Sequence, residues 1–142
     1  MSKILLVEDD GQIRALLKRI LEKQNHSVQE APHGREALAL LASELPDLVI
    51  TDMFMPEMDG LEFIEQMLAR HPGLPFVAIS GEGGLDAEVF LRIARYRGAH
   101  GILQKPFGVF ELQAALERVL KMSSDLKSSQ PQEQPLPQMI SP

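Results

Sequence analysis

Five times along the 142 residues a short apolar run is followed by apolar residues at helical spacing, and that alternation leaves few architectures open. Ile4-Leu5-Leu6-Val7 is unbroken apolar chain, as a strand covered on both faces requires. After Asp10-Gly11, apolar residues return at Ile13, Leu16, Leu17, Ile20 and Leu21, one face of a helix. His26 to Glu30 is a weaker second strand, with Val28 its one clearly apolar residue, and a helix over about 34–44 follows with Ala37, Leu38 and Leu41 inward. Leu48-Val49-Ile50 is the third strand, and Leu61, Ile64, Met67 and Leu68 give the next helix its apolar face. Phe76 to Ile79, led in by Pro75, is the fourth strand. A helix holding Val89, Phe90, Ile93 and Ala94 then stops before Gly98. A short fifth strand, Ile102-Leu103, precedes a helix from about Val109 that buries Leu112, Ala115, Leu116, Val119 and Leu120.

Such a pattern predicts a parallel sheet with helices on both faces. Strands one, three and four are apolar throughout, whereas two and five are short and more polar, which puts those two at the edges. With right-handed crossovers the order becomes 2-1-3-4-5, an α/β flavodoxin-like doubly wound five-stranded sheet with five helices. The length suits one core, assigned to residues 1–121. From Ser123 the composition turns to Ser, Gln and Pro, so 122–142 reads as a flexible tail, or as a linker.

Composition narrows the partners. Twenty acidic against fourteen basic residues give a formal net charge of -6, which disfavours broad attraction to nucleic acid or an anionic membrane. The chain has no cysteine, so disulfides, zinc-thiolate sites and cysteine nucleophiles are excluded. Met1-Ser2-Lys3-Ile4 enters a strand directly without a signal-peptide pattern, and no stretch approaches a membrane span; a cytoplasmic location is the expectation.

In open α/β sheets ligands bind beyond the carboxyl ends of the strands, where strand order reverses, here between strands one and three. Strand one ends at Glu8-Asp9-Asp10, strand three at Asp52, strand four at Ser80 and strand five near Lys105-Pro106. Topology therefore gathers acids from distant parts of the chain on one rim. Carboxylates crowded in one crevice repel one another unless a cation shares them. A hard divalent ion such as magnesium fits, since no thiols or paired histidines favour zinc or copper. With one lysine and one hydroxyl added, the inventory matches phosphoryl transfer to a carboxylate.

Glu8-Asp9, the stretch DMFMPEMDG from Asp52 to Gly60, Ser80-Gly81 and Lys105-Pro106-Phe107 together resemble the signature of two-component response regulator receiver domains, in order over roughly residues 1–121. The resemblance implies that Asp52 accepts a phosphoryl group from a phosphohistidine on a sensor histidine kinase or histidine phosphotransfer protein. It implies that Glu8, Asp9, Asp52 and the backbone carbonyl of Phe54 hold Mg2+, that Lys105 contacts the phosphoryl oxygens, and that Ser80 hydrogen-bonds one of them. Lys105-Pro106 is commonly a cis peptide in that family. The module is then a signalling protein, not an enzyme beyond its own aspartyl phosphorylation and dephosphorylation. The resemblance implies that it is read by a downstream protein target through the face of helix four, strand five and helix five, as a monomer or a phosphorylation-dependent dimer. Phe54 and Glu82 stand at the two variable positions that, in that family, modulate how fast the phosphoryl group is lost.

One departure stands out. The family's aromatic residue three positions before the lysine is Ile102 here, which removes an aromatic rotamer switch. Elsewhere, Asp10 is expected to cap the first helix, and Asp59-Gly60 to form a turn and cap. His26, His33, His71 and His100 lack metal-ligand spacing and read as surface or loop residues, and Met53, Met55 and Met58 lie beside the site where a partner could touch them. Competing readings are a pseudo-receiver that binds without phosphorylation, a magnesium-dependent phosphatase with an aspartyl nucleophile, and a flavin-binding protein. The phosphatase wants a second acid at position 54, where Phe54 stands; the flavin protein would meet repulsion from Glu8-Asp9-Asp10.

Overall fold

A computed structural model describes residues 2–53, 60–81, 92 and 95–129. Five strands, β1 (Lys3–Val7), β2 (Ser27–Ala31), β3 (Leu48–Asp52), β4 (Phe76–Ser80) and β5 (Gly101–Gln104), form one parallel sheet in the order β2-β1-β3-β4-β5. Helices α1 (Gly11–Lys23), α2 (Gly34–Ser43) and α3 (Gly60–Arg70) and a C-terminal helix (Val109–Ser129) cover it. The architecture is the one the alternation predicts, with β2 and β5 at the edges. The expected fourth helix falls mostly outside the described residues; Arg92, Arg95 and Tyr96 are helical and exposed.

Side chains of the central strands alternate between two cores, as a period of two demands. Leu5, Val7, Val49, Phe76 and Ala78 face α2 and α3, where Leu38, Leu41, Phe63 and Met67 meet them. Ile4, Leu6, Ile50, Val77 and Ile79 face α1 and the C-terminal helix, against Leu17, Leu21, Leu112 and Leu116. Each such aliphatic or aromatic side chain contributes about 1.5–3 kcal/mol by leaving water, so Phe63→Ala, which also opens a cavity, costs roughly 3–5 kcal/mol.

Local signals set the helix ends. Asp10 caps α1 as expected, its Oδ1 accepting from the backbone N–H groups of Gln12 at 2.9 Å and Ile13 at 3.1 Å. His33 is more than a loop residue: its Nδ1 accepts from Glu36 N at 3.3 Å and caps α2. His100 is likewise half-buried, edge-on to Phe76, with Nδ1 accepting from Phe76 N at 3.3 Å. Burial holds the imidazoles of His26 and His100 below their ordinary pKa. The C-terminal helix is described to Ser129, past the compositional boundary at 122.

Register positions the rim. Val7 lies opposite Thr51, so the next residues, Glu8 and Asp52, emerge side by side. Asp52 lies opposite Ile79 and Ser80 opposite Gln104, which brings Lys105 alongside. Gly60 opens α3 where any side chain would collide: a Cβ there would stand 2.5 Å from Met53 Cα and 2.7 Å from Asp52 O. Its N–H donates to Met53 O at 3.1 Å, stitching the start of α3 to the chain just after β3.

Candidate functional site

Glu8, Asp52 and Ser80 are buried although each is polar, with Glu8 1% and Asp52 4% exposed; Asp9 beside them is exposed. Buried charges demand partners. Lys105 supplies one, its Nζ donating to Glu8 Oε1 at 3.1 Å and to Asp52 Oδ2 at 3.1 Å. Lys105 N also donates to Ser80 O at 2.9 Å, and the Lys105-Pro106 bond is cis. Asp10 N donates to the second Glu8 oxygen at 3.2 Å, and the Thr51 hydroxyl to the Asp52 backbone carbonyl at 3.1 Å.

One ammonium cannot neutralise two carboxylates. Burial, then the charge of Asp52 and a hydrogen bond shared with it, push the Glu8 carboxyl up to about 7, against the opposing pull of Lys105 and the Asp10 N–H. On Lys105, burial works to lower the pKa, but the charges of Asp52 and Glu8 outweigh it and the ammonium ends above its ordinary value. The metal-free site therefore carries an excess of negative charge and competes for protons.

Each of Glu8, Asp9 and Asp52 offers a carboxylate oxygen, and these oxygens lie within 4.8 Å of one another. Around a magnesium ion, opposite ligands stand roughly 4 Å apart, so the three reach a common ion with small adjustments, and all are hard oxygen donors. The fit is chemical as well as geometric. A further donor is the Ser80 hydroxyl, which is buried with no hydrogen-bond partner among the described residues. A buried polar atom left unsatisfied is costly and marks a place for a ligand atom.

The sequence-predicted Glu8, Asp9, Asp52, Ser80 and Lys105 thus stand on one rim. Phe54, Met55, Met58, Asp59 and Glu82 lie outside the described residues. Met53 does not face a partner: it is fully buried in the core with Phe63 and Met67, because it continues the alternation of β3 on the Val49 face, its N–H still donating to Ile79 O at 2.8 Å. Ile102 is half-buried on β5 opposite Ala78. Beside Lys105 an apolar groove of about 600 Å3 opens between α1 and the start of the C-terminal helix, lined by Ile13, Leu16, Ile20, Phe107 and Val109 among others. Leu16, which lines the groove, and Phe110, which follows the lining residue Val109, are exposed, 55% and 87% respectively.

A doubly wound parallel sheet with an acid-lined crevice at its switch point, a lysine across it and a buried hydroxyl beside it brings together the groups that phosphoryl transfer to a carboxylate uses. The profile of the response regulator receiver domain matches residues 4–117, and the chain belongs to that family. It is 38% identical over 117 residues to the DNA-binding transcriptional regulator NtrC of Salmonella typhimurium, covering 82% of this chain and 24% of that protein. It is 37% identical over 122 residues to the response regulator MprA of Mycolicibacterium vanbaalenii, covering 86% of this chain and 52% of the relative. The chain therefore spans between a quarter and about half of the length of these relatives. Among solved structures, NtrX from Brucella abortus superposes with a TM-score of 0.83 at 32% identity, over 89% of this chain and 29% of that one. A response regulator receiver domain protein from Clostridium thermocellum gives 0.81 at 27% identity, over 89% and 99%. No described helix is long and apolar enough to cross a membrane.

Proposed function

We propose that the chain receives a phosphoryl group on Asp52 from the phosphohistidine of a sensor histidine kinase or phosphotransfer protein, and signals the change by protein contact. The observation that carries this reading is the Asp52 carboxylate, buried at the tip of β3 with Lys105 Nζ at 3.1 Å and, on the neighbouring strand, the Ser80 hydroxyl, which has no hydrogen-bond partner among the described residues. An Asp52 oxygen attacks the phosphorus in line, the new O–P bond forms as the P–N bond to the donor imidazole breaks, and the ring nitrogen leaves with the electron pair. Lys105 covers the phosphoryl oxygens as a point charge, and Ser80 donates to one of them. Glu8, Asp9 and Asp52, with the Phe54 backbone carbonyl, would hold Mg2+, which supplies charge neutralisation when bound. Exposed Leu16 and Phe110, next to the groove beside Lys105, suit a protein donor that covers apolar surface as it delivers the group.

Incubation with acetyl phosphate and Mg2+, followed by intact-mass measurement, tests the reading. The expected result is one added phosphoryl group, absent in Asp52→Asn and without Mg2+. A chain that gains no mass under these conditions overturns the reading.

A further inference from the structure

The strongest unclaimed interaction near the rim belongs to Arg14, on the first turn of α1. Its Nη1 donates to the backbone carbonyl of Glu8 at 2.8 Å, and its Nε donates to Glu30 Oε1 on β2 at 3.2 Å. Lys18 lies 3.9 Å from the other Glu30 oxygen, so Glu30 is itself held between two cations of α1. As a stabilising ion pair this contact is of little worth, because partly exposed pairs contribute about 0–1 kcal/mol. Its geometry has another consequence.

The Glu8 carbonyl belongs to the peptide unit that joins Glu8 to Asp9. Glu8 N already donates to Ala31 O at 3.1 Å, the last ladder bond of β1. With the carbonyl fixed by Arg14, the orientation of the following peptide plane is determined, and with it the direction in which Asp9 leaves the strand. Asp9 needs such help, for it is exposed and no hydrogen bond or ion pair among the described residues holds its carboxylate. Glu8, by contrast, is fixed through its own side chain by Asp10 N and Lys105.

We infer that Arg14 is the positioning residue of the cation site: it aims Asp9 by gripping the Glu8–Asp9 peptide, and Glu30 on the edge strand anchors its grip. This inference rests on the reading of Glu8, Asp9 and Asp52 as the magnesium cluster. Groups that orient metal ligands without touching the metal typically control about 10–100-fold in affinity.

The test separates positioning from charge by its sign. Arg14 is a cation near an acidic cluster, so by Coulomb's law alone its removal tightens Mg2+ binding. Positioning predicts the reverse. Isothermal titration of the whole chain with MgCl2, below the unfolding transition of every variant, is expected to show about tenfold weaker binding in Arg14→Met than in wild type. Arg14→Lys keeps the charge but cannot span Glu8 and Glu30 with one planar group, and is expected to weaken binding as well; it carries the test if Arg14→Met does not fold. Wild-type affinity, or tighter binding, in the folded variants overturns the inference while leaving the metal site intact. Wild type that binds no Mg2+, or Asp9→Asn that binds as wild type does, overturns the metal reading itself and the inference with it.

Discussion

Lys105 and Asp52, 53 residues apart in the chain, meet at 3.1 Å between ammonium and carboxylate on a rim that four strands build. Lys105→Met removes the one cation that, among the described residues, both buried carboxylates share. Phosphorylation by acetyl phosphate is expected to slow by about 10²–10³-fold, the usual cost of losing one preorganised charge at a transition state. Magnesium binding is expected to hold or tighten, since a competing positive charge has gone. Phosphorylation at the wild-type rate would remove Lys105 from the chemistry.

The Glu8 carboxyl, raised to about 7 in the fold against an unfolded value of 4.5, makes the metal-free protein hold a proton that the unfolded chain releases. Between those values the native state binds more protons, so this group's contribution to stability is complete below about 4.5 and is lost as pH rises through 7. The loss is on the order of a few kcal/mol. His26 and His100, held below their ordinary values, act in the opposite direction near pH 6, so the comparison must be made with Glu8→Gln. Urea unfolding in EDTA is expected to show wild type losing stability relative to that variant from pH 5 to pH 8. Saturating Mg2+ should abolish the difference in slope, because the metal replaces the proton. Parallel pH curves in EDTA would mean that Glu8 is already ionised.

Much of the fold and of the rim is legible in the sequence. The apolar runs at Ile4 to Val7, Leu48 to Ile50 and Phe76 to Ile79 could only be central strands, and the doubly wound order then forced Glu8, Asp52, Ser80 and Lys105 to one rim. What stayed hidden has a common cause. A guanidinium gripping a backbone carbonyl, as Arg14 does, leaves no spacing motif, because its partner has no side-chain identity. Gly60 read as a turn residue, yet its constraint is the passage of Met53 across it. His33 and His100 lack ligand spacing and read from the sequence as surface or loop residues, although each accepts a backbone hydrogen bond whose donor is fixed only by the fold.

Gly60 should tolerate no side chain. A methyl group there would stand 2.5 Å from Met53 Cα and 2.7 Å from Asp52 O, both backbone atoms that cannot swing aside. Gly60→Ala is expected to cost about 1–3 kcal/mol in urea unfolding, as overpacking does, and to slow phosphorylation by shifting the peptide that carries Asp52. Gly81, where a Cβ meets nothing within 4 Å, is the control: Gly81→Ala should change stability by less than about 0.5 kcal/mol. Equal effects at the two glycines would refute the close-approach argument.

The exposed apolar pair next to the groove offers a way to separate chemistry from docking. Leu16→Ser with Phe110→Ser leaves every group of the acidic rim in place. Phosphorylation by acetyl phosphate is therefore expected to proceed at the wild-type rate, while transfer from a phosphohistidine protein falls by tenfold or more, about the effect of losing 1–2 kcal/mol of contact. A protein donor that is indifferent to both substitutions must dock elsewhere.

The Ser80 hydroxyl gives the last prediction its unusual sign. Buried without a hydrogen-bond partner among the described residues, it costs the unphosphorylated fold desolvation with no return. Ser80→Ala should leave the unphosphorylated chain as stable as wild type or up to about 1 kcal/mol more so. After phosphorylation the hydroxyl has an oxygen to donate to, so wild type should gain thermal stability on phosphorylation and Ser80→Ala should gain less. Melting curves of the four species decide the matter. A Ser80→Ala chain that is already destabilised before phosphorylation would show that the hydroxyl has a partner in the resting state, and that its role is structural.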